Sequence, residues 1–144
     1  MSLEIVKDYA LRFVGVPYRW GGAHPCNGLD CSGLVQIILK SAGEDPPGDQ
    51  TAQAIYNHFA APGKAQDLLG LGSILFFGQS VLKITHVAWA LNPYQMIEAG
   101  GGGSKTLTVT DAIRDEAFVR VSLINSRNDL VSYLKPYYRK IGHL

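Results

Sequence analysis

Cysteine, histidine and charge are all sparse in this chain, and each scarcity removes a class of function. Two cysteines, Cys26 and Cys31, stand with histidines at 24, 58, 86 and 143. That complement does not assemble a four-ligand zinc site, and at 144 residues a core needs no disulfide framework. A bridge between Cys26 and Cys31 would consume a thiol that the local sequence favours as free. Charged residues are 17% of the chain and sum to a formal +1, with no run of Lys or Arg. A nucleic-acid surface needs a concentrated basic patch, so that class of partner is excluded. No uninterrupted apolar stretch is long enough to span a membrane. Residues 1–9 lack the basic start and apolar centre of a secretory signal, so any export is expected to use another route or a segment outside this sequence. What remains is an ordinary globular composition, 47% hydrophobic. It predicts a single domain over residues 1–144, with its core at about 3–124 and a C-terminal tail at 125–144.

The chain is organised around Gly28-Leu29-Asp30-Cys31-Ser32-Gly33-Leu34-Val35 and its continuation to Gly43. A loop marked by Pro25 and Gly28 turns sharply at Asp30-Cys31-Ser32-Gly33. Leu34, Val35, Ile38 and Leu39 then fall at the spacing of one buried helix face, and Gly43 supplies the stop. Cys31 is thus expected in the first turn of a buried helix, where unpaired amides and the helix dipole favour negative charge. A cysteine taken at random is more often an inert buried thiol. Position and flanking glycines point instead to a nucleophile.

Ahead of that stretch, Ser2 is placed to cap a helix carrying Ile5, Val6, Tyr9, Ala10 and Phe13 at helical spacing, ended by Gly15 and Pro17. Pro17-Tyr18-Arg19-Trp20-Gly21-Gly22 follows, a turn whose paired glycines permit close backbone approach. Trp20 reads as a core aromatic, whereas Tyr18 brings a hydroxyl near Cys31. Beyond Asp45-Pro46-Pro47-Gly48, residues 51–59 read as a short helix with Ala52, Ile55, Tyr56 and Phe59 on one face and His58 on the surface. From Gly72 the period becomes strand-like, at 74–77, 87–91, 95–99, 106–110 and 118–124. Helices first and strands after predict an α+β domain with an antiparallel sheet. Tyr133, Pro136, Tyr137 and Tyr138 read as a tail packed over it.

A catalytic thiol needs a base and a group that orients the base. His86 heads the alternating strand His86-Val87-Ala88-Trp89-Ala90-Leu91, on the face opposite Val87, Trp89 and Leu91. The turn Leu91-Asn92-Pro93-Tyr94 folds this strand back, and a hairpin centred on Asn92 would set His86 directly opposite Glu98. A slip of one residue would turn Glu98 to the other face. His24 is the rival base, in a loop with no obvious carboxylate partner. Asp30 reads as a brace for the turn, and its amide or that of Cys31 as an oxyanion donor.

Taken together, Pro17-Tyr18-Arg19-Trp20-Gly21-Gly22, Leu29-Asp30-Cys31-Ser32-Gly33-Leu34-Val35, Gly72-Ser73-Ile74-Leu75-Phe76-Phe77, His86-Val87 and Ile97-Glu98-Ala99 resemble, in order and spacing, the NlpC/P60 family of cell-wall cysteine peptidases. The resemblance implies a papain-like α+β fold, with N-terminal helices packed on an antiparallel β-sheet. It implies hydrolysis of peptidoglycan stem peptides, commonly between D-γ-glutamyl and a diamino acid such as meso-diaminopimelate. Cys31 matches the nucleophile, His86 the base, Glu98 the third polar residue and Tyr18 the tyrosine near the active site. Asp30 and Ser32 are expected to support the site, and no metal or organic cofactor is needed. Action at the cell wall is implied, with delivery by a phage, as a lysin or tail-associated enzyme, or by a dedicated secretion assembly.

Three positions depart from the family pattern. Glu98 stands where histidine is commonest, and Ser73 where the strand entry usually has Asp, a change expected to touch a local turn rather than chemistry. Pro47-Gly48-Asp49-Gln50-Thr51 replaces the usual Pro-Arg segment before the third helix. Two rival classes fit the same residues. One is a non-catalytic wall-binding or phage structural module, marked by a hairpin in which Glu98 does not reach His86. The other is a same-fold amidase or acyltransferase. Gly100-Gly101-Gly102-Gly103-Ser104-Lys105-Thr106 superficially resembles a phosphate-binding loop. However, Ser104 replaces the glycine before the lysine, and 106–110 reads as strand where a helix must begin. A loop rimming the cleft is the plainer expectation.

Overall fold

The computed structural model of the chain describes residues 2–141. Helix α1, Leu3–Leu11, buries only Val6 and Ala10 and leaves Ile5 and Tyr9 exposed, a narrower stripe than the sequence spacing predicts. Ser2 caps it through its backbone carbonyl, which accepts from the Ile5 and Val6 amides, and not through its hydroxyl. A two-stranded ribbon, β1 at Ala23–His24 and β2 at Gly28–Leu29, leads into α2 at Cys31–Ser41. In α2 the four apolar positions Leu34, Val35, Ile38 and Leu39 are all fully buried. Gly43 adopts a left-handed φ of 76° after the helix end, which lets the Glu44 amide bond back to the Leu39 carbonyl. Helix α3, Ala52–Ala60, starts where the Thr51 hydroxyl accepts from the Ala54 amide.

Strands β3 (Ala65–Gln66), β4 (Ile74–Ser80), β5 (Lys83–Ala90), β6 (Gln95–Gly100), β7 (Phe118–Leu123) and β8 (Leu130–Pro136) form one sheet in the order β3-β8-β4-β5-β6-β7. Every pair in it is antiparallel. One face carries Ile74, Phe76, Val87, Trp89, Ile97 and Val119 into the same core as the buried side chains of α2 and α3. The other face buries Leu75, Phe77, Ala88, Ala90 and Met96 under Ile124. Burial on both faces explains why the start of β4 reads as an unbroken apolar run and not as an alternation.

Two expectations for the second half of the chain are corrected. Residues 106–110 are not a strand: Val109–Asp115 is a helix, α4, opened by a capping box. The Thr108 hydroxyl accepts from the Asp111 amide while the Asp111 carboxylate accepts from the Thr108 amide, and this local exchange outweighs the β-preference of the threonines. The Asp111 carboxylate thereby occupies the helix start that a phosphate would need. The stretch read as a tail is part of the sheet, since β8 lies between β3 and β4 and pairs Leu134 with Ile74. Only Leu134 and Pro136 are buried along it, too few to declare a strand from periodicity.

Candidate active site

Cys31 is the first residue of α2, and the loop before it is built to hold it there. The Asp30 carboxylate caps the helix, its Oδ1 accepting from the Gly33 amide at 2.7 Å and from the Ser32 hydroxyl at 3.2 Å. Its Oδ2 accepts from the Gly21 amide at 3.1 Å, which ties the Tyr18-to-Gly22 turn to the helix start. Burial pushes the Asp30 carboxyl up, against the pull of those three bonds. Glycine at 33 is required by contact: a Cβ there would lie 2.1 Å from the Gly22 carbonyl oxygen. The Asp30 amide donates to that same Gly22 carbonyl, so of the two oxyanion donors expected it is already engaged. The Cys31 amide, at the first helical position, has no intrahelical acceptor and is the one that remains. Cys31 and Cys26 are both free thiols.

His86 reaches the site from β5. Directly before it, the β4–β5 register shifts at Gly78, which faces Ile84 while Phe77 faces His86, leaving Thr85 as the extra residue of a bulge. Nε2 of His86 lies 2.7 Å from Oε1 of Glu98. An ionised carboxylate only accepts, so Nε2 carries the proton and Nδ1 is the nitrogen turned to Cys31. Burial alone would lower the proton affinity of His86, but its hydrogen bonds to Cys31 and Glu98 and their charges outweigh that and raise it. Glu98 is only 3% exposed. Burial opposes its charge, yet His86, Ser122 and Arg120 together hold its carboxyl down at about 2. Arg120 contributes from directly across β6–β7, with Nε 3.7 Å from Oε2 of Glu98.

Cys31 and His86 line one cleft of about 530 Å³. Tyr18, Asp30 and Ser32 line it as well, and all three are wholly or largely buried. Gly102 of the glycine-rich loop packs on the Tyr18 ring so closely that a Cβ there would meet it at 2.2 Å. Trp20, expected in the core, is instead 52% exposed on the cleft rim. Asp49, Gln50 and Thr51, in the segment that departs from the family pattern, also line the cleft. They are held by buried Gln36, which donates to the Gly48 carbonyl and accepts from the Gln50 amide. Arg127 lines it too, from the stretch read as a tail. No site role is read for Asp49, Gln50 or Arg127 in the sequence, because each lies outside a regular element, where periodicity carries no signal. Ser73 does serve a local turn, its hydroxyl accepting from the Gly70 amide and donating to the Leu68 carbonyl.

The rival base is placed elsewhere. His24 lies exposed on β1, where its Nδ1 accepts from the Cys26 amide at 3.2 Å. His58 lies on α3, edge-on to Phe59, and His143 is outside the described residues.

The profile of the NlpC/P60 family matches residues 15–123. This chain belongs to the NlpC/P60 family. The NlpC/P60 domain is similar to the bifunctional muramidase/DL-endopeptidase CwlT of Bacillus subtilis, 36% identical over 102 residues that cover 69% of this chain and 30% of CwlT. It is also similar to the gamma-D-glutamyl-L-lysine dipeptidyl-peptidase of the same organism, 33% identical over 122 residues that cover 82% of this chain and 39% of that protein. It therefore spans well under half the length of either relative. Its fold is similar to that of RipD from Mycobacterium tuberculosis, a non-catalytic NlpC/p60 domain protein adapted to peptidoglycan binding. There the TM-score is 0.65 at 23% identity, covering 94% of this chain and 96% of RipD. Since the NlpC/P60 fold accommodates a non-catalytic member, the choice between turnover and binding lies with the side chains in the cleft.

Proposed function

We propose that this NlpC/P60 domain is a cysteine peptidase of the cell wall that cleaves peptidoglycan stem peptides between a D-γ-glutamyl unit and the diamino acid that follows it. The observation that supports this reading is that His86, hydrogen-bonded on Nε2 to the buried Glu98 carboxylate at 2.7 Å, shares one cleft with Cys31.

In this reading His86 takes the Cys31 proton, and the sulfur attacks the carbonyl carbon of the scissile amide. The Cys31 amide faces the negative charge that develops on the carbonyl oxygen. His86, now an imidazolium held by Glu98, returns its proton to the departing amine as the C–N bond breaks, leaving a thioester on Cys31. Water then attacks the thioester, His86 accepts its proton, and the acid departs as the thiol is restored. Every step uses Cys31, His86 or Glu98, a backbone amide or water.

The test is digestion of purified cell wall and of defined muropeptides by the wild type and by Cys31→Ala, with the fragments identified by mass. Release of fragments ending in a free D-glutamyl γ-carboxyl by the wild type alone is the expected result. A wild type that binds wall as Cys31→Ala does, and releases nothing, would place it with the binders and overturn the proposal.

A further inference from the structure

Arg127 sits between β7 and β8, just past the short 3-10 turn Ile124–Ser126, and lines the cleft that holds Cys31 and His86. Among the described residues lining that cleft it is the one permanently charged cation. The acids that line it, Asp30 and Asp49, come from the α2 end and from the loop before α3.

Three contacts fix the guanidinium. Nε and Nη2 donate to the two oxygens of Asp129, each at 2.9 Å, and the group lies over the Phe77 ring, 5.0 Å from its centroid. Nη1 takes part in neither bond. Phe77 is paired with His86 across the β4–β5 ladder, with ring centroids 5.5 Å apart. Arg127 is thereby anchored beside Phe77 and, through it, next to the His86 ring.

That position has a chemical meaning. The imidazolium must hand its proton to the departing amine, so the leaving half of the substrate lies against His86. A pre-oriented guanidinium with unused donors is the group that recognises a carboxylate there. We propose that Arg127 is a substrate-binding residue that selects a leaving half carrying a free carboxylate, such as the second carboxylate of a diaminodicarboxylic acid, over one carrying a carboxamide or ammonium at that place. This rests on the hydrolase reading for the direction of the leaving group. Asp129 offsets part of the charge and the side chain is one-third exposed, so the preference is about tenfold and not thousandfold.

The experiment is a calorimetric titration of the Cys31→Ala chain with γ-D-glutamyl-meso-diaminopimelate, and with the same dipeptide whose distal carboxylate is a carboxamide. The acid is expected to bind about tenfold more tightly, with the ratio shrinking as salt rises. In Cys31→Ala/Arg127→Gln the ratio falls toward one, and in Cys31→Ala/Arg127→Lys it is intermediate. A merely structural Arg127 would weaken both ligands equally and leave the ratio unchanged. An unchanged ratio in the double variants, equal affinities in the parent, or no binding of either peptide overturns the proposal. Should Arg127→Gln not fold, the parent's ratio and its salt dependence, with the Lys variant, decide the matter. Failure of the hydrolase reading is distinct: the wild type would cleave neither peptide while the binding ratio held.

Discussion

His86 and Glu98 meet on a diagonal. The β5–β6 ladder pairs Trp89 with Ile97 and Ala90 with Met96, a register that carries His86 onto Gly100 and Glu98 onto Ala88. The hairpin is centred one residue later than Asn92, so the two are not directly opposite as the sequence suggests. A shift of two in pairing partner preserves the face, and diagonal neighbours on one face lie within reach of long side chains. Nε2 and Oε1 close to 2.7 Å. Gly100, opposite His86, leaves the space this needs, since a Cβ there would come within 3.2 Å of the Glu98 carboxyl carbon.

The charge on Glu98 and its mere presence should separate by mutation. Glu98→Gln keeps an acceptor beside Nε2 but removes the carboxylate that stabilises the imidazolium. It is expected to lower kcat/KM by about tenfold to a hundredfold. Glu98→Ala frees the ring to choose its tautomer and orientation, and is expected to cost about a hundredfold or more. Steady-state kinetics on a defined muropeptide checks both, and equal activities for wild type and Glu98→Ala would remove Glu98 from the mechanism.

The two cysteines offer an internal comparison. His86 holds its proton more tightly than an ordinary imidazole, against the pull of burial, because Cys31 and Glu98 bond to it. His86 is thus the base placed to take the Cys31 proton as the sulfur reacts. Iodoacetamide at pH 6 should therefore label Cys31 about tenfold more slowly in His86→Ala than in the wild type. Cys26, exposed on the β1–β2 turn, should be labelled at one rate in both. Peptide mapping of the labelled chains reads both sites at once, and parallel behaviour of the two thiols would deny the coupling.

Stability should depend on pH through the same pair, with opposite signs. The Glu98 carboxyl is held at about 2 in the folded chain against 4.5 as its ordinary value. Its contribution is present above pH 4.5 and is lost as pH falls toward about 2. The folded His86 value is raised, so its contribution is full below 6.5 and is lost as pH climbs through the raised value. The pair therefore stabilises most between those two ordinary values. Urea melts from pH 2.5 to 8 on wild type and Glu98→Gln should show the wild type losing more stability on acidification, by up to roughly 3 kcal/mol. Identical pH profiles would mean that the carboxylate is not ionised in the fold.

How much of this was legible in the sequence follows from where the information sits. The Cys31 helix was readable because its apolar spacing, its Asp30 cap and its Gly43 stop are all local. His86 and Glu98 were readable because an alternating hairpin fixes faces even when its centre is misjudged by one residue. Arg127, Asp49 and Gln50 were not, because loops are placed by contacts distant in sequence, such as the Gln36 bonds to Gly48 and Gln50. Trp20 was misread because an aromatic in a turn carries no periodicity to say which side is wet. The capping box at Thr108 and Asp111 was a local signal, masked by a run of residues that favour strands.

The C-terminal stretch gives the sharpest contrast between tail and structure. Tyr138 lies two residues past β8, and its hydroxyl accepts from the Trp89 Nε1–H at 2.9 Å and donates to the Gly72 carbonyl at 2.5 Å. Trp89 on β5 and Tyr138 are both in the main core and Gly72 lies just ahead of β4, so the bonds tie the chain's end to residues that lie 49 and 66 positions earlier. Tyr138→Phe keeps the ring but leaves the buried indole N–H and one carbonyl unsatisfied, which costs about 1–3 kcal/mol. No part of this chain of bonds touches the cleft, so kcat/KM should be unchanged at temperatures where the variant is folded. A tail merely laid over the domain would let water replace the hydroxyl, and Tyr138→Phe would then melt with the wild type. Thermal unfolding by circular dichroism, read beside the muropeptide assay, distinguishes the two.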